Sequence, residues 1–239
     1  MKKLMVVVCA MCMMSGSLFA QSGSIDSKFG LDSLKTLQMA SICSQYVKNK
    51  QYADALNSWR YLFFNAPAFQ MRTYINGETI VRDAYNRTKD AKYIDTLMMI
   101  YDQRIKYFGK DPRYGEAYLL GKKGADLLRY RKNNRESVLE AYNCFVKSYE
   151  MTQGKTQPNV LRNMFNSAGT LLKMESMETS AYVDLYMRLT DFLDNAVTMA
   201  KDPAPFKDAK GDIDAMFIDA GIADCEILTN VLSARYEAN

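Results

Sequence analysis

Five prolines divide this chain at nearly constant intervals. Pro67, Pro112, Pro158 and the pair Pro203 and Pro205 are spaced by 45, 46 and then 45 to 47 residues. Proline removes a backbone donor, and its ring clashes with the preceding turn, so it sits at helix starts or between helices. The intervening sequence is rich in Ala, Leu, Met, Lys, Gln and Tyr, with apolar residues at helical spacing and almost no alternating β-branched runs. Regular breaks in helix-forming sequence mark repeated supersecondary units.

Each unit divides into two helices. Met39, Ile42, Cys43 and Tyr46 fall at i, i+3, i+4 and i+7, and Tyr52, Ala55, Trp59 and Leu62 resume after a break at 48–50. A second unit runs over 71–87, breaks at "TKDAK" and continues through Ile94, Leu97, Tyr101 and Ile105. A third runs over 115–130, breaks at "RKNNR" and resumes with Val138, Ala141 and Phe145. The fourth covers 159–173 and then Tyr182, Leu185, Leu189 and Phe192. A last helix over about 213–236 is expected to stand without a partner, and Asp32-Ser33 reads as the N-cap of the first.

Small residues suggest how the helices touch. Gly77, Gly121 and Gly169 follow Pro67, Pro112 and Pro158 by 10, 9 and 11 residues. A glycine inside a helix costs roughly 1 kcal/mol against alanine, so a recurring one implies close helix approach. Trp59, Tyr101 and Phe145 recur in the second helices. The expectation is a series of glycine notches filled by these rings. The aromatic stretch "YADALNSWRYLFFNAP" is accordingly a core stripe rather than a ligand box.

The first unit resembles a tetratricopeptide repeat. Met39, Ile42, Cys43, Tyr46, Tyr52, Ala55, Trp59, Leu62 and Pro67 fill the places of that family's pattern: large, large-small, aromatic, then aromatic, alanine, aromatic, aliphatic and proline. The later units share the plan but use the longer period. The leader end "SLFAQ" and the segment "YIDTLMMIYDQRIKYFG" are similar to exported tetratricopeptide proteins of Bacteroidota. The resemblance implies an all-α, right-handed solenoid of about four hairpins of ~45 residues plus a C-terminal helix, occupying 32–239.

Such a solenoid would carry a concave groove lined by its first helices. If Cys43, Gly77, Gly121 and Gly169 are equivalent, the groove-facing candidates are Ser44, Lys48, Tyr74, Glu78, Arg82, Tyr118, Lys122, Asn166 and Thr170, with Ala40, Asp126 and Met174 in the same rows. A mixed polar and tyrosine-bearing surface suits a protein or peptide ligand. The expected function is a non-enzymatic scaffold that needs no cofactor and no metal. The alternative is a helical binding protein for a small molecule or glycan in the bacterial envelope.

Residues 1–20 read as a signal peptide: Lys2 and Lys3, an apolar core over 4–14, and Ala20 before Gln21. Residues 21–31 read as a flexible lead-in. The expectation is therefore an exported, periplasmic protein, associated with envelope complexes and without a membrane span. Removal of the leader would leave 29 cations against 27 acids, a near-neutral balance that gives no general argument for nucleic acid or for acidic membranes, and no nucleic-acid partner is expected. The basic run "RYRKNNR" at 129–135 is then a solvated turn.

Catalysis has little footing. The chain has no histidine, which removes Ser-His and Cys-His nucleophile pairs and most catalytic zinc sites. No glycine-rich phosphate loop is present. Of five cysteines, Cys43, Cys144 and Cys225 would remain after the leader, an odd, scattered set that reads as buried thiols.

Overall fold

The computed structural model describes residues 28–222. Among them the chain is all-α, with no strand and nine α-helices: α1 (Ser33–Lys48), α2 (Tyr52–Asn65), α3 (Arg72–Thr88), α4 (Lys92–Phe108), α5 (Glu116–Arg131), α6 (Arg135–Thr152), α7 (Pro158–Lys173), α8 (Thr179–Met199) and α9 (Ala204–Asp219). They pack as sequential antiparallel pairs, each helix mainly against its neighbours in the chain. The signal peptide, most of the 21–31 lead-in and residues 223–239 lie outside the described residues. No helix among those described is long and apolar enough to cross a membrane.

Local chemistry sets the boundaries. Asp32 caps α1, its side chain accepting from the Lys35 amide at 2.9 Å, and Asn134 caps α6 through the Ser137 amide at 2.8 Å. Pro158 opens α7, where its missing N–H costs nothing, and Pro203 and Pro205 flank the start of α9. The turns after α1, α3 and α7 each pass through a left-handed residue: Lys50 (φ 59°), Lys89 (φ 56°) and Glu175 (φ 53°). At the N-terminal edge, Gly30 (φ 68°) lets the chain turn back so that the Phe29 ring meets Phe69, 5.4 Å between centroids.

One continuous core runs through the hairpins. In the first hairpin Ala55, Trp59 and Leu62 are buried, as the stripe predicts. Trp59 stacks on Phe63 (5.1 Å) and its indole N–H donates to the Thr73 carbonyl at 3.0 Å, so it joins hairpin one to α3. Burying a ring of this size stabilises by roughly 4–6 kcal/mol.

The glycine series is not one equivalent position. Gly77 faces Trp59 of the preceding hairpin, as a notch for a ring. Phe145, however, fits against Gly124, where an added Cβ would lie 2.7 Å from its Cζ, while Gly121 faces Val160 of α7. Gly169 faces the Tyr182 hydroxyl, and Tyr101 meets no glycine but enters a polar network. Counting from the prolines fails for Gly169 because the lead-in to its helix differs; for Gly77 and Gly121, at equal offsets, the partner differs because each helix turns a different side to its neighbours. Gly77 and Gly121 lie five residues past the starts of α3 and α5, and Gly169 eleven past the start of α7.

The last helix also differs from expectation. The last described helix, α9, begins at Ala204 and has partners, overlapping only the start of the expected 213–236 segment, whose residues from 223 onward lie outside the described residues. Ala209, Ile213 and Phe217 bury one face against α7 and α8. Phe217 stacks on Tyr186 (3.9 Å) and Tyr182 (6.0 Å), and Tyr182 stacks on Phe165 of α7 (4.6 Å). Polar residues at 207, 208, 210 and 212 hide the helix start in the sequence, but prolines flanking a first turn begin a helix as readily as they end one.

Candidate partner-binding site

Four charged residues on α3 and α5 form a closed ladder. Glu78 and Arg82 stand one turn apart on α3, and Lys122 and Asp126 one turn apart on α5. Lys122 pairs with Glu78 and Arg82 with Asp126, the second through both guanidinium nitrogens. The charge order is reversed between the helices, so only one register satisfies both pairs. A slip by a turn would set like charges opposite each other.

The ladder rests on α4. The Tyr101 hydroxyl donates to Asp126 at 2.6 Å and accepts from Arg82 at 3.0 Å, while Arg104 donates to Glu78 at 3.2 Å. Glu78, Asp126, Arg104 and Tyr101 are buried, and Arg82 also reaches the Tyr130 hydroxyl at 3.1 Å. Burial, reinforced by the Glu78 and Asp126 carboxylates, drives the Tyr101 phenol far above its ordinary range. For Arg82 burial acts downward, but the bond and charge of Asp126, with Tyr101 and Tyr130, raise it overall. This network is therefore a preorganised platform in which every charge has a partner, Glu78 serving both Arg104 and Lys122.

Its rim reaches solvent. Tyr118 is 42% exposed, its ring 5.8 Å from the Lys122 ammonium. Tyr114, one turn earlier, packs edge-on against Tyr118 at 5.2 Å and is itself exposed. Tyrosine offers large contact area at little entropic cost, together with a hydroxyl for hydrogen bonding. Ile75 of α3 is also exposed.

Of the nine candidates, Glu78, Arg82, Tyr118 and Lys122 come together here. Tyr74 does not: it is 0% exposed, and its hydroxyl donates to the Pro67 carbonyl at 2.8 Å, so it belongs to the core. Burial raises its phenol as well. Ser44 and Lys48 are exposed on α1, Lys48 at its C-terminal turn. Asn166 and Thr170 line a pocket of about 100 Å³ with Gly169, Tyr182 and Met216, beside α9 rather than along the ladder. Tyr101, Arg104 and Tyr130 were not among the candidates. A signal for part of the network was present: Glu78–Lys122 and Arg82–Asp126 are both separated by 44 residues, one repeat period, with signs inverted.

Two further features lie elsewhere. Lys123 is buried on α5 and salt-bridged to Asp102 and Glu140, each at 2.7 Å. Beside it an open depression of about 390 Å³ has Leu120, Leu139 and Cys144 along with Glu136, Glu140, Asn143 and Lys147 in its lining. Cys43 and Cys144 are free and buried, and burial pushes the Cys144 thiol up to about 11; Cys225 lies outside the described residues. No family model matches this chain, and no curated protein or solved structure is significantly similar to it.

Proposed function

We propose that the chain is an exported tetratricopeptide-like scaffold, a right-handed solenoid that holds a protein or peptide ligand along α3 and α5. One observation carries this reading: the exposed Tyr114–Tyr118 pair borders, through Tyr118 and Lys122, a ladder whose charges are paired with one another. Interfaces favour aromatic anchors fixed by surrounding structure, and truncating such an anchor typically costs 2 kcal/mol or more. Because Lys122 and Arg82 already have carboxylate partners, the rim favours a ligand with apolar and neutral polar side chains over a strongly acidic one.

The alternative, a small-molecule or glycan binder, draws less support. The polar pocket beside α9, at about 100 Å³, is well below the roughly 300–1,000 Å³ of ordinary ligand sites, and the 390 Å³ depression beside Lys123 has the volume but is a shallow, open hollow rather than a cleft that would bury a ligand. A photo-crosslinking residue placed at Tyr118, with one at Asn143 as control, tests the scaffold reading in the producing cell. Discrete protein adducts from position 118 alone, lost on Tyr114→Ala, are the expected result. Adducts equal from both positions, or none from position 118, would overturn it.

A further inference from the structure

The antiparallel pairing has an electrostatic consequence. Because α1, α3 and α5 run one way and α2, α4 and α6 return, the turns within the first three hairpins emerge on the same edge. Residues 48–54, 87–92 and 129–136 of these turns hold nine cations and three carboxylates, whereas the whole chain has 31 against 27. Asp83 and Asp95, just outside, pair with Arg87 and Arg131, and Asp90 pairs with Lys92. Lys48, Lys50, Lys89, Arg129, Lys132 and Arg135 are all exposed, with no ion pair among the described residues. The stripe stops at the fourth turn, where Glu175 and Glu178 outnumber Lys173.

Helix stability explains only part of this. Lys48, Arg87, Arg129 and Arg131 end their helices, where a cation complements the macrodipole. Lys50, Lys89 and Lys132 lie beyond those ends, and Arg135 opens α6, where a cation opposes the dipole. Packed helices stand about 8–10 Å apart, so neighbouring turns lie within roughly a Debye length and their potentials add.

We propose that this edge docks on an anionic lipid surface. Turn tips ending along one side suit a plane of headgroups, and among the described residues no helix projects from that edge to enter a nucleic-acid groove. Half-buried Tyr52, Tyr93 and Tyr130 sit in or beside the same turns, the residue type favoured at membrane–water interfaces. The proposal is independent of the Tyr114–Tyr118 rim.

The test is partition of the full chain between buffer and vesicles of phosphatidylglycerol in phosphatidylcholine, against phosphatidylcholine alone, at low salt. Binding is expected only to the anionic vesicles and is lost at high salt. Lys50→Asn, Lys89→Asn and Lys132→Gln together should weaken it on the order of a hundredfold, each cation near an anionic surface being worth about 1 kcal/mol. Asparagine tolerates the left-handed backbone at the first two positions. Lys110→Gln, Lys155→Gln and Lys201→Gln remove the same charge from exposed sites between the hairpins, and should change binding less than threefold. A second edge triple, Lys48, Arg129 and Arg135→Gln, should reproduce the loss if the first does not fold. Equal weakening by edge and control triples, no anionic-vesicle binding, or tighter binding to single-stranded DNA at equal phosphate would each overturn the proposal.

Discussion

Replacing Gly77 by alanine tests the packing where the hairpins join. A Cβ at Gly77 would fall 2.8 Å from Trp59 Cε2 and closer still to Nε1, the atom that donates to Thr73. Trp59 is 1% exposed and already stacked on Phe63, so the ring has little room to move. Overpacking a filled core costs about 1–3 kcal/mol, and displacing the indole N–H from its carbonyl costs about 1–2 more. Against this, alanine gains about 1 kcal/mol of helix propensity. The net is about 1–4 kcal/mol of destabilisation, centred near 2.5, and that central value lowers Tm by roughly 5–10 °C for a chain of this length. Gly121→Ala makes an internal control. Its Cβ would meet Val160 Cγ2 at 3.2 Å, a methyl that can give, so the propensity gain roughly cancels the crowding. Circular dichroism at 222 nm, followed through heating and through urea, should place Gly77→Ala well below the parent and Gly121→Ala within about 3 °C of it. If Gly77→Ala matched the parent, or Gly121→Ala lost more, the notch assignment would be refuted.

Three further outcomes are expected. Asp126→Asn leaves Arg82 without its carboxylate; with 24% of the Arg82 side chain exposed, the cost is about 2–3 kcal/mol by urea denaturation, short of the fully buried case. An unchanged midpoint would mean that the ladder contributes nothing. Gly30→Ala would place a side chain on the Asn65 carbonyl at a left-handed φ, so the turn at 28–31 should release Phe29 and trypsin should cut after Lys35 faster than in the parent. Cys144, raised by burial from 9.0 to about 11, should be alkylated about a hundredfold more slowly at pH 8 than the same cysteine in urea, read by peptide mass spectrometry. The folded chain keeps that proton where the unfolded chain releases it. The associated stability is therefore intact below about pH 9 and lost as pH rises through about 11. A melting midpoint flat from pH 9 to 11 would contradict this.

The sequence by itself settled the eight helices of the four hairpins and their pairing, though not the start or partners of α9. The expected 71–87 and 159–173 became Arg72–Thr88 and Pro158–Lys173, because proline, capping side chains and apolar period act within a few residues of the boundary they set. It also placed Trp59 in the core and set Glu78, Arg82, Tyr118 and Lys122 on a shared face. Only tertiary structure decided the rest. Which glycine meets which ring depends on the rotation of each helix about its axis, which is set by packing against its neighbours and which a linear period does not carry. Tyr74 turned inward for this reason, and Phe145 chose Gly124 over Gly121. Basic turns dispersed through the chain became one charged edge because antiparallel packing gathers turns from every hairpin onto the same side.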